Sequence, residues 1–400
     1  MKNLFLLRGL PGSGKSTYIK AMELEPYTLS SDKLREMFAG LEYNIEGNLC
    51  ISGKRDKLVW ETLFIMLESR MQRGLTTIID STNIKEKSIG KYKKLADKYG
   101  YKVYIVDFTF VSVETCVKRN KSRGYKKVPE TVIYRMANNL EIAKIPDWAE
   151  VISPDNFISL IHSEDCEIAA DKYSKITFIG DVHGCYTTLK RVFNKGIDEK
   201  TLYVFTGDYI DRGPQSVKTI LWLSNLAKKK NFIFLEGNHE RWLRNWLSND
   251  IDLIRSNEFI NITMPQFEKY FRSNFNEKRK EELKDLRNFI TSLKELVLIK
   301  LSNESSYRYI FACHGGVPYI NPITGLMSSE DIIRGVGKYQ DCVTVDNEFN
   351  NKLENQIYQV HGHRNFYNSP IQVNNSVFNL EDGKVISIES KEFKNEEELF

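Results

Sequence analysis

The amino-acid sequence predicts two α/β domains in one chain of 400 residues. The chain is longer than a single hydrophobic core usually supports. Short apolar runs alternate with amphipathic segments over residues 1–150, which is the pattern of a parallel sheet covered by helices. This rhythm stops at about 151–173, and further strands follow it. We therefore predict domains at 1–150 and 174–400, joined by an irregular linker over 151–173.

The first domain is predicted to begin with a buried strand at 4–7. The elements that follow are a helix from about residue 15, a strand at 27–29, a helix at 54–73, a strand at 76–79, a helix at 85–99, a strand at 103–108, and helices at 114–122 and 130–142. Pro129 introduces the last of these helices. Strand and helix alternate throughout, so the sheet is expected to be parallel.

The second domain is predicted to be an α/β sandwich. Its expected strands lie at 176–179, 202–205, 232–235, 309–313, 357–360 and 377–380. A helical insertion at about 241–300 carries five aromatic residues, which are Trp242, Trp246, Phe267, Tyr270 and Phe271. These rings could stack on bases, but their helical spacing favours a place in the core. The acidic end at 392–400 is expected to be solvated.

The composition, 41% hydrophobic and 28% charged, is typical of a soluble globular protein. A net charge of +4 is compatible with a polyanionic partner but does not establish one. No apolar run approaches the roughly 20 residues that cross a bilayer. The scattered cysteines predict reduced thiols rather than disulfides or a zinc site, and they are Cys50, Cys116, Cys166, Cys185, Cys313 and Cys342. We expect a cytoplasmic protein without a membrane partner.

A glycine-rich loop follows the first strand, where GLPGSGKST begins at Gly9. It fits the pattern GxxxxGK[ST], whose backbone N–H groups surround phosphates. Lys15 would reach the β and γ phosphates, and the Ser16 hydroxyl would bind Mg²⁺. The predicted nucleotide-binding residues are Gly12, Ser13, Gly14, Lys15, Ser16 and Thr17. This half is therefore expected to bind ATP or another nucleoside triphosphate with Mg²⁺.

Asp32 and Arg35 follow the second strand, at the sheet edge that faces ligands in such folds. Asp32 could act as a general base and Arg35 could hold an anionic group of the acceptor. Ser31 or Asp32 could equally cap a helix. Arg119 and Arg123 are spaced to share one helix face, where they could clamp a triphosphate or simply form an exposed pair.

The order of GLPGSGKST, SSDKLR, IDSTN and RNKSRGYKKVP resembles the kinase domain of polynucleotide 5′-kinases from bacteriophage and bacterial RNA repair. The resemblance covers residues 1–145. It implies that Asp32 is the base on the 5′-hydroxyl and that Arg35 contacts the acceptor phosphate. It also implies that Arg119 and Arg123 form a lid clamp and that Asp80 belongs to the acceptor site.

Five of the six histidines lie in short motifs of the second half, namely GDVHG, GDYIDRG, GNHE, HGG and HGH. The first four motifs follow predicted strands directly and the fifth closes one. Ligands at strand ends converge on one rim of a sheet. Carboxylate, amide and imidazole ligands without thiolate suit Mn²⁺ or another divalent transition ion, and Mg²⁺ is also possible.

These five motifs resemble those of calcineurin-like binuclear metallophosphoesterases over residues 174–390. The resemblance implies two divalent metal ions held by Asp181, His183, Asp208, Asn238, His314 and one histidine of the HGH motif. The family's glycine before the ligand favours His363, with His361 as the alternative. It further implies that Arg212 holds phosphate oxygens and that His239, oriented by Asp211, protonates the leaving oxygen.

A domain that adds a 5′-phosphate and a domain that removes a 3′ one together predict an enzyme that heals RNA ends, with DNA as a possible substrate. The order resembles bacterial polynucleotide kinase–phosphatases of RNA repair, in which a ligase module follows. The chain ends at Phe400 without a KxDG-type motif, so a separate ligase is expected to act in trans. The alternatives are a protein serine/threonine phosphatase and a dinucleoside polyphosphate hydrolase whose P-loop only regulates.

Overall fold

The computed structural model describes residues 2–161, 167–272, 276–302, 307–320, 326–352, 357–368, 370–381 and 383–389. The predicted acidic end at 392–400 and Cys166 lie outside these residues. Contacts divide the chain into two compact units, the first formed by Met1–Glu164 with Asn321–Ser329 and the second by Asp165–Ile320 with Glu330–Phe400. The predicted α/β class is confirmed in both units.

The first unit contains a parallel sheet of five strands in the order β2-β5-β1-β6-β7. These strands are β1 (Asn3–Arg8), β2 (Thr28–Ser30), β5 (Thr77–Asp80), β6 (Lys102–Asp107) and β7 (Glu150–Ile152). Two further strands, β3 (Leu41–Tyr43) and β4 (Leu49–Ile51), form a separate antiparallel hairpin that the sequence did not predict. The glycine loop connects β1, at the centre of the sheet, to the first helix.

Helices cover both faces of this sheet. They are α1 (Lys15–Ala21), α2 (Ser31–Ala39), α3 (Asp56–Gln72), α4 (Glu86–Gly90), α5 (Lys93–Tyr99), α6 (Val113–Asn120), α7 (Glu130–Ile142) and α8 (Pro154–Ile161). Alternate residues of β1 point to opposite faces, so Leu4 and Leu6 join one core cluster and Phe5 and Leu7 join another. The helix predicted over 85–99 is two helices, since α4 ends at Gly90 and α5 begins at Lys93.

The segment 151–173, expected to be an irregular linker, contains regular structure. β7 is the edge strand of the first sheet, and α8 follows it. Phe157 of α8 is fully buried, with its ring centroid 4.6 Å from that of Phe5. Farther along, β8 (Glu167–Ala169) pairs with a strand of the second unit. Pro154, within the expected linker, begins a helix, where its missing N–H costs nothing.

The second unit is a sandwich of two sheets. The first has the order β11-β10-β9-β17 and the second the order β15-β16-β14-β13-β12-β8. The strands after β8 are β9 (Lys175–Ile179), β10 (Thr201–Phe205), β11 (Phe232–Phe234), β12 (Leu296–Ser302), β13 (Tyr307–Cys313), β14 (Ile357–His361), β15 (Gln372–Asn374), β16 (Val377–Asn379) and β17 (Val385–Glu389). Apolar residues from both sheets form the core between them.

Helices pack on the outer face of the first of these sheets. The helices of this part of the chain are α9 (Tyr186–Val192), α10 (Ser216–Leu226), α11 (Glu240–Leu247), α12 (Met264–Arg272), α13 (Glu277–Ser292), α14 (Ser329–Arg334) and α15 (Cys342–Lys352). The helical insertion ends earlier than predicted, because residues 296–300 belong to β12. Its five aromatic side chains pack in or against the core, so the structure favours their structural role over base stacking.

The sequence also led to expectations about the cysteines and about membrane-spanning segments. The five cysteines among them, Cys50, Cys116, Cys185, Cys313 and Cys342, are free thiols, as predicted. No helix in the described part of the chain is both long enough and apolar enough to cross a membrane.

Candidate active sites

The glycine loop of the first unit folds as a tight cradle at the start of α1. Gly12 and Gly14 have φ angles of 86° and 101°, in the left-handed region that favours glycine. A Cβ at Gly12 would lie 2.4 Å from the carbonyl oxygen of Cys116, so no larger residue fits there. Ser13 is buried within the loop, whereas Ser16 and Thr17 are exposed at the start of the helix. These two hydroxyl side chains therefore face solvent at the position where a triphosphate would lie.

Lys15 is buried and points back into the loop. Its Nζ donates hydrogen bonds to the carbonyl oxygens of Gly9 (2.8 Å) and Leu10 (2.9 Å) and to Oγ of Ser13 (3.2 Å). Burial lowers the pKa of Lys15 to about 8, the nearby carboxylate of Asp80 opposes this shift, and the charge of Arg123 adds to it. The loop carbonyls thus hold the ammonium group in place.

Asp80 lies beside the predicted magnesium ligand. Its Oδ2 accepts hydrogen bonds from Oγ of Ser16 (3.1 Å) and Oγ of Ser30 (3.3 Å). A hydroxyl and a carboxylate this close form an oxygen pair that suits Mg²⁺, which binds proteins through one or two carboxylates. Asp80, predicted for the acceptor site, therefore lies where it can also serve the nucleotide's metal ion.

Asp32 and Arg35 lie on α2, joined by a 2.8 Å ion pair. The Arg35 guanidinium also contacts both carboxylate oxygens of Asp56, with Nε 2.7 Å from Oδ1 and Nη2 3.3 Å from Oδ2. Arg35 is thus held by two carboxylates, and an acceptor phosphate would have to compete with them. The cap of α2 is Ser30, whose Oγ accepts from the backbone N–H of Lys33, and not Ser31 or Asp32 as predicted.

Arg119 and Arg123 do not share one helix face, contrary to the prediction from their spacing. α6 ends at Asn120, so Arg119 lies in its last turn and Arg123 follows the helix. Both nevertheless lie near the cradle. A Cβ at Gly14 would be 3.8 Å from Nη1 of Arg119, and the charge of Arg123 acts on Lys15. After α6 the backbone N–H groups of Lys121, Ser122 and Arg123 donate to carbonyl oxygens three residues earlier, so the chain turns more tightly than an α-helix.

In the second unit, the predicted metal ligands all follow the carboxyl ends of neighbouring strands. Asp181 and His183 follow β9, Asp208 follows β10, Asn238 follows β11, His314 follows β13, and His363 follows β14. Except for His363 and Asn238, which line the same rim, each of these side chains is buried. The strand order of the two sheets therefore assembles ligands that are far apart in sequence.

Two groups of side chains at this rim, drawn from the predicted ligands and from the predicted proton donor His239, have ligand atoms within 4.8 Å of one another. One contains His183, Asp208 and His239, and the other contains Asp208, His314 and His363. Asp208 is common to both groups, so its carboxylate is placed to contact ions at both positions. Its Oδ2 is 3.1 Å from Nε2 of His314 and 3.8 Å from Nε2 of His183. The Oδ1 of Asn238 is 3.3 Å from the same His314 nitrogen.

The unpaired polar atoms at this rim fit metal ions. The Nδ1 atoms of His183 and His314 lie 3.0 and 2.9 Å from the carbonyl oxygens of Ile210 and Thr206. These contacts orient both rings so that Nε2 is directed to the site. Nε2 of His183 and Oδ1 of Asp181 are buried without a hydrogen-bond partner among the described residues. A buried polar atom without a hydrogen-bond partner lowers the stability of the fold unless a ligand such as a metal ion binds it.

The charges of the site shift several pKa values in opposite directions. Burial would raise the pKa of Asp208, but the charges of His314 and His239 outweigh it and hold that pKa well below its usual range. Burial raises the pKa of Asp181 to about 7. The pKa of His363 is lowered by burial and by the charge of His314. Such opposed shifts are typical of functional sites.

His239 and Asp211 are buried beside Asp208, and Arg212 directly follows Asp211 in the sequence. Nδ1 of His239 is 2.5 Å from Oδ2 of Asp211, and its Nε2 is 3.7 Å from Oδ2 of Asp208. Burial alone would lower the pKa of His239, but the charges of Asp208 and Asp211 raise it to about 9. The Arg212 side chain is about half exposed, with Nε 4.0 Å from a carboxylate oxygen of Glu258. The arginine is therefore accessible to an anion.

The backbone around the site is strained. Nine described non-glycine residues have a positive φ, and five of them belong to the predicted site, namely His183 (43°), Asp208 (52°), Asp211 (70°), Arg212 (55°) and His363 (65°). Such conformations are uncommon for residues with a Cβ and cluster at functional sites. This clustering is independent of the motifs and points to the same residues.

The two histidines of the HGH motif have different surroundings. His363 belongs to the group with Asp208 and His314, and its backbone N–H donates to Oδ2 of Asp181 (3.1 Å). His361 is fully buried, with Nε2 3.1 Å from Oδ1 of Asp346 on α15. The geometry thus favours His363 as the ligand, while the His361 ring faces Asp346.

Sequence reasoning missed two buried charged residues that position the site. Glu240 accepts hydrogen bonds from the backbone N–H groups of Asp208 (3.0 Å), Tyr209 (2.8 Å) and Gly237 (2.9 Å). Arg364 donates to the carbonyl oxygens of Val336 (2.8 Å) and Lys338 (3.2 Å). Both residues directly follow a recognised motif histidine, and that adjacency was the available signal.

A P-loop unit followed by a metallophosphoesterase unit defines a chain built for phosphate transfer and phosphate-ester hydrolysis. Residues 174–388 match the family model of the calcineurin-like phosphoesterases, and the chain belongs to this family. Residues 4–143 match the family model of an AAA domain, a P-loop fold related to kinases. The sequence-based prediction of these two domain types is confirmed.

Two solved structures are similar to the chain. A protein serine/threonine phosphatase from Saccharomyces cerevisiae, with similarity to human phosphatase PP5, has 16% identity and a TM-score of 0.35, over 63% of this chain and 82% of that one. A putative diadenosine tetraphosphatase has 14% identity and a TM-score of 0.34, over 56% of this chain and 97% of that one.

Proposed function

We propose that this protein heals the ends of broken RNA. It transfers the γ-phosphate of ATP to a 5′-hydroxyl, and it removes a 3′-phosphate or a 2′,3′-cyclic phosphate from the other end. One observation carries the proposal: a single chain holds a triphosphate cradle with an acceptor-side carboxylate and also a buried carboxylate–histidine metal site. Ligation requires a 5′-phosphate and a 3′-hydroxyl, and these two activities produce both. A separate ligase then seals the ends.

In the kinase half, the side chains around the glycine loop have different roles in phosphate transfer. Asp32, whose side chain is 40% exposed, takes the proton from the attacking 5′-hydroxyl. Arg35 exchanges part of its contact with Asp56 for the acceptor phosphate. The triphosphate is bound by Lys15, Arg119 and Arg123. Ser16 and Asp80 would hold Mg²⁺, which when bound neutralises charge on the β and γ phosphates.

In the phosphatase half, His239 carries a proton at neutral pH because its pKa is raised, and it passes this proton to the leaving oxygen. Asp211 keeps the imidazole in the orientation for that transfer. Arg212 binds the oxygens of the substrate phosphate. Asp181, His183, Asp208, Asn238, His314 and His363 would hold two divalent ions, for which Mn²⁺ suits the donor set. Such a pair of ions supplies Lewis acidity and an activated water.

The test uses one RNA oligonucleotide with a 5′-hydroxyl and a 2′,3′-cyclic phosphate, analysed by mass spectrometry after incubation with ATP, Mg²⁺ and Mn²⁺. The wild-type protein should add phosphate at one end and leave a free hydroxyl at the other. Lys15→Ala should lose only the first change and Asp208→Asn only the second. Asp32→Ala should lose transfer and keep nucleotide binding, which distinguishes a kinase from a regulatory nucleotide-binding domain.

A surface ion pair provides matched controls for Lys15→Ala and Asp208→Asn. Lys228 and Asp285 are joined by a 2.6 Å contact on the outside of the second unit. Lys228→Ala and Asp285→Asn make the same chemical changes away from either site, so both variants should retain both activities. If neither RNA end changes while a phosphopeptide or a dinucleoside polyphosphate is hydrolysed, the end-healing proposal is wrong.

A further inference from the structure

Three exposed aromatic side chains form a cluster at the rim of the metal site. Tyr339, Phe366 and Tyr367 are 39%, 53% and 60% exposed. The ring centroid of Tyr339 is 6.0 Å from that of His363 and 6.4 Å from that of Phe366, and the Phe366 centroid is 5.0 Å from that of Tyr367. The cluster therefore begins at a predicted metal ligand and extends outward into solvent.

The innermost ring of the cluster is anchored. The Tyr339 hydroxyl donates a 2.8 Å hydrogen bond to Oε1 of Glu381. Arg364 is buried and directly follows His363 in the sequence. It donates to the carbonyl oxygen of Lys338, which directly precedes Tyr339. The same buried guanidinium thus ties the loop of Tyr339 to the loop of His363. The position of this ring relative to the site is consequently fixed by hydrogen bonds.

The two outer rings are not used by the protein's own core. Single exposed aromatic residues are common, but contiguous apolar surface beside a site usually marks a ligand. The rings meet edge to face, at 80° between Tyr339 and Phe366 and 89° between Phe366 and Tyr367. An edge-to-face contact covers at most one face of a ring, and more than half of the Phe366 and Tyr367 surface stays exposed to solvent. Open faces of phenylalanine and tyrosine are what a flat heterocycle stacks upon.

We propose that Tyr339, Phe366 and Tyr367 form a stacking platform for the nucleobase of the nucleotide whose phosphate enters the metal site. This inference rests on the proposed function and specifies its substrate as a nucleotide end of any base, because every base has a π face. A phosphate held at Arg212 and the metal rim would direct the attached ribose and base toward these rings, of which Tyr339 is 6.0 Å from His363 between ring centroids. A phosphoserine or phosphothreonine residue carries no such heterocycle of its own.

The test compares substrates with and without a base, using the full-length protein loaded with Mn²⁺. Adenosine 3′-monophosphate carries the base, and β-glycerol phosphate lacks it. Phe366→Ala and Tyr367→Ala should each raise the KM for the nucleotide about fivefold to 150-fold, the range of one base–aromatic stack. The kcat for the nucleotide and both parameters for β-glycerol phosphate should stay the same. Phe366→Trp keeps a ring and should restore the wild-type KM.

A binding measurement provides a readout that does not depend on turnover. Calorimetric titration of adenosine 3′-monophosphate into Asp208→Asn protein, with and without Phe366→Ala, should show the same fold loss in affinity. Tyr134→Ala serves as the matched control, since Tyr134 is 49% exposed on α7 of the first unit. It removes an exposed ring and should change none of these values.

Three results would disprove the proposal that these rings form a stacking platform for a base. Equal losses for both substrates would mean that the rings only support the site. No loss for either would mean that no base lies there. A loss seen only with a phosphopeptide, assayed as a third substrate, would mean that the rings bind protein. Failure of the proposed function has a different signature, in which the wild-type protein hydrolyses β-glycerol phosphate and no nucleotide.

Discussion

His239 and Asp211 are joined by a 2.5 Å contact between Nδ1 and a carboxylate oxygen, and both side chains are almost completely buried. Asp211 lies in the left-handed region of the backbone and follows a strand neighbouring the one that His239 follows. The contact orients the imidazole and favours its protonated form. The other ring nitrogen is thereby directed at Asp208, where a leaving oxygen would meet it.

Asp211→Asn should lower kcat about 100-fold or more, the usual contribution of a positioned general acid. His239 has a raised pKa of about 9, so it is protonated at neutral pH and loses its proton as the pH rises through that value. Without the Asp211 charge this pKa falls. The alkaline limb of the phosphatase pH–rate profile should therefore move to lower pH. Asp285→Asn should leave the limb in place, and an unmoved limb in Asp211→Asn would contradict the assignment.

Glu240→Ala should destabilise the second unit by about 3 kcal/mol or more. Three buried backbone N–H groups would lose their acceptor, and each such loss costs about 1–3 kcal/mol. Calorimetric unfolding of the metal-free protein measures the effect. Glu348→Ala removes a carboxylate that is 44% exposed and should change stability by about 0.5 kcal/mol or less. Equal effects of the two substitutions would disprove the positioning role.

His363→Ala should reduce the bound metal from two ions to one, whereas His361→Asn should retain both. The ring of His363 lies in the group with Asp208 and His314, but that of His361 contacts Asp346. Elemental analysis of protein dialysed against Mn²⁺ gives the stoichiometry. Loss of an ion in His361→Asn alone would reverse the assignment. That variant should instead unfold at lower temperature, because it weakens the support of a buried carboxylate.

ATP binding to the wild-type protein should take up a proton at pH 9. Burial lowers the pKa of Lys15 to about 8, so part of the population is neutral at that pH, and the triphosphate raises the pKa again. Calorimetry in two buffers of different ionisation enthalpy measures the uptake. It should disappear at pH 6.5, and it should disappear at pH 9 in Lys15→Arg, whose guanidinium stays charged. Equal uptake in Lys15→Arg would assign the proton to another group.

Much of the fold was predictable because its signals are local. The strand before Gly9 and the strands before Asp181, Asp208 and Asn238 are short apolar runs that end in motif residues, and each was predicted within a few residues. The motif histidines could likewise be identified as one site, since the carboxyl ends of adjacent strands share a rim. The family comparison confirms the two domain types on which these predictions rest.

What the sequence did not reveal depends on tertiary partners. β12 was assigned to the helical insertion, although its pairing with β13 and β8 is what makes residues 296–302 a strand. The prediction that Arg119 and Arg123 share one helix face was wrong, because nothing in their spacing indicates that α6 ends at Asn120. Glu240 was recognised as part of the GNHE motif but given no role, because its three backbone donors belong to loops that only the fold brings near it.

The left-handed residues of the phosphatase rim have a consequence for how this enzyme can evolve. Each holds its backbone in a conformation that costs about 1 kcal/mol or more and that glycine would adopt without penalty. A drift toward glycine at His183 or Arg212 would relax the chain while removing the group that binds metal or phosphate. Substitutions to glycine at these few positions would therefore raise thermal stability and lower activity at the same time. A more heat-resistant homologue would have to gain its stability elsewhere, in the sandwich core or the surface helices.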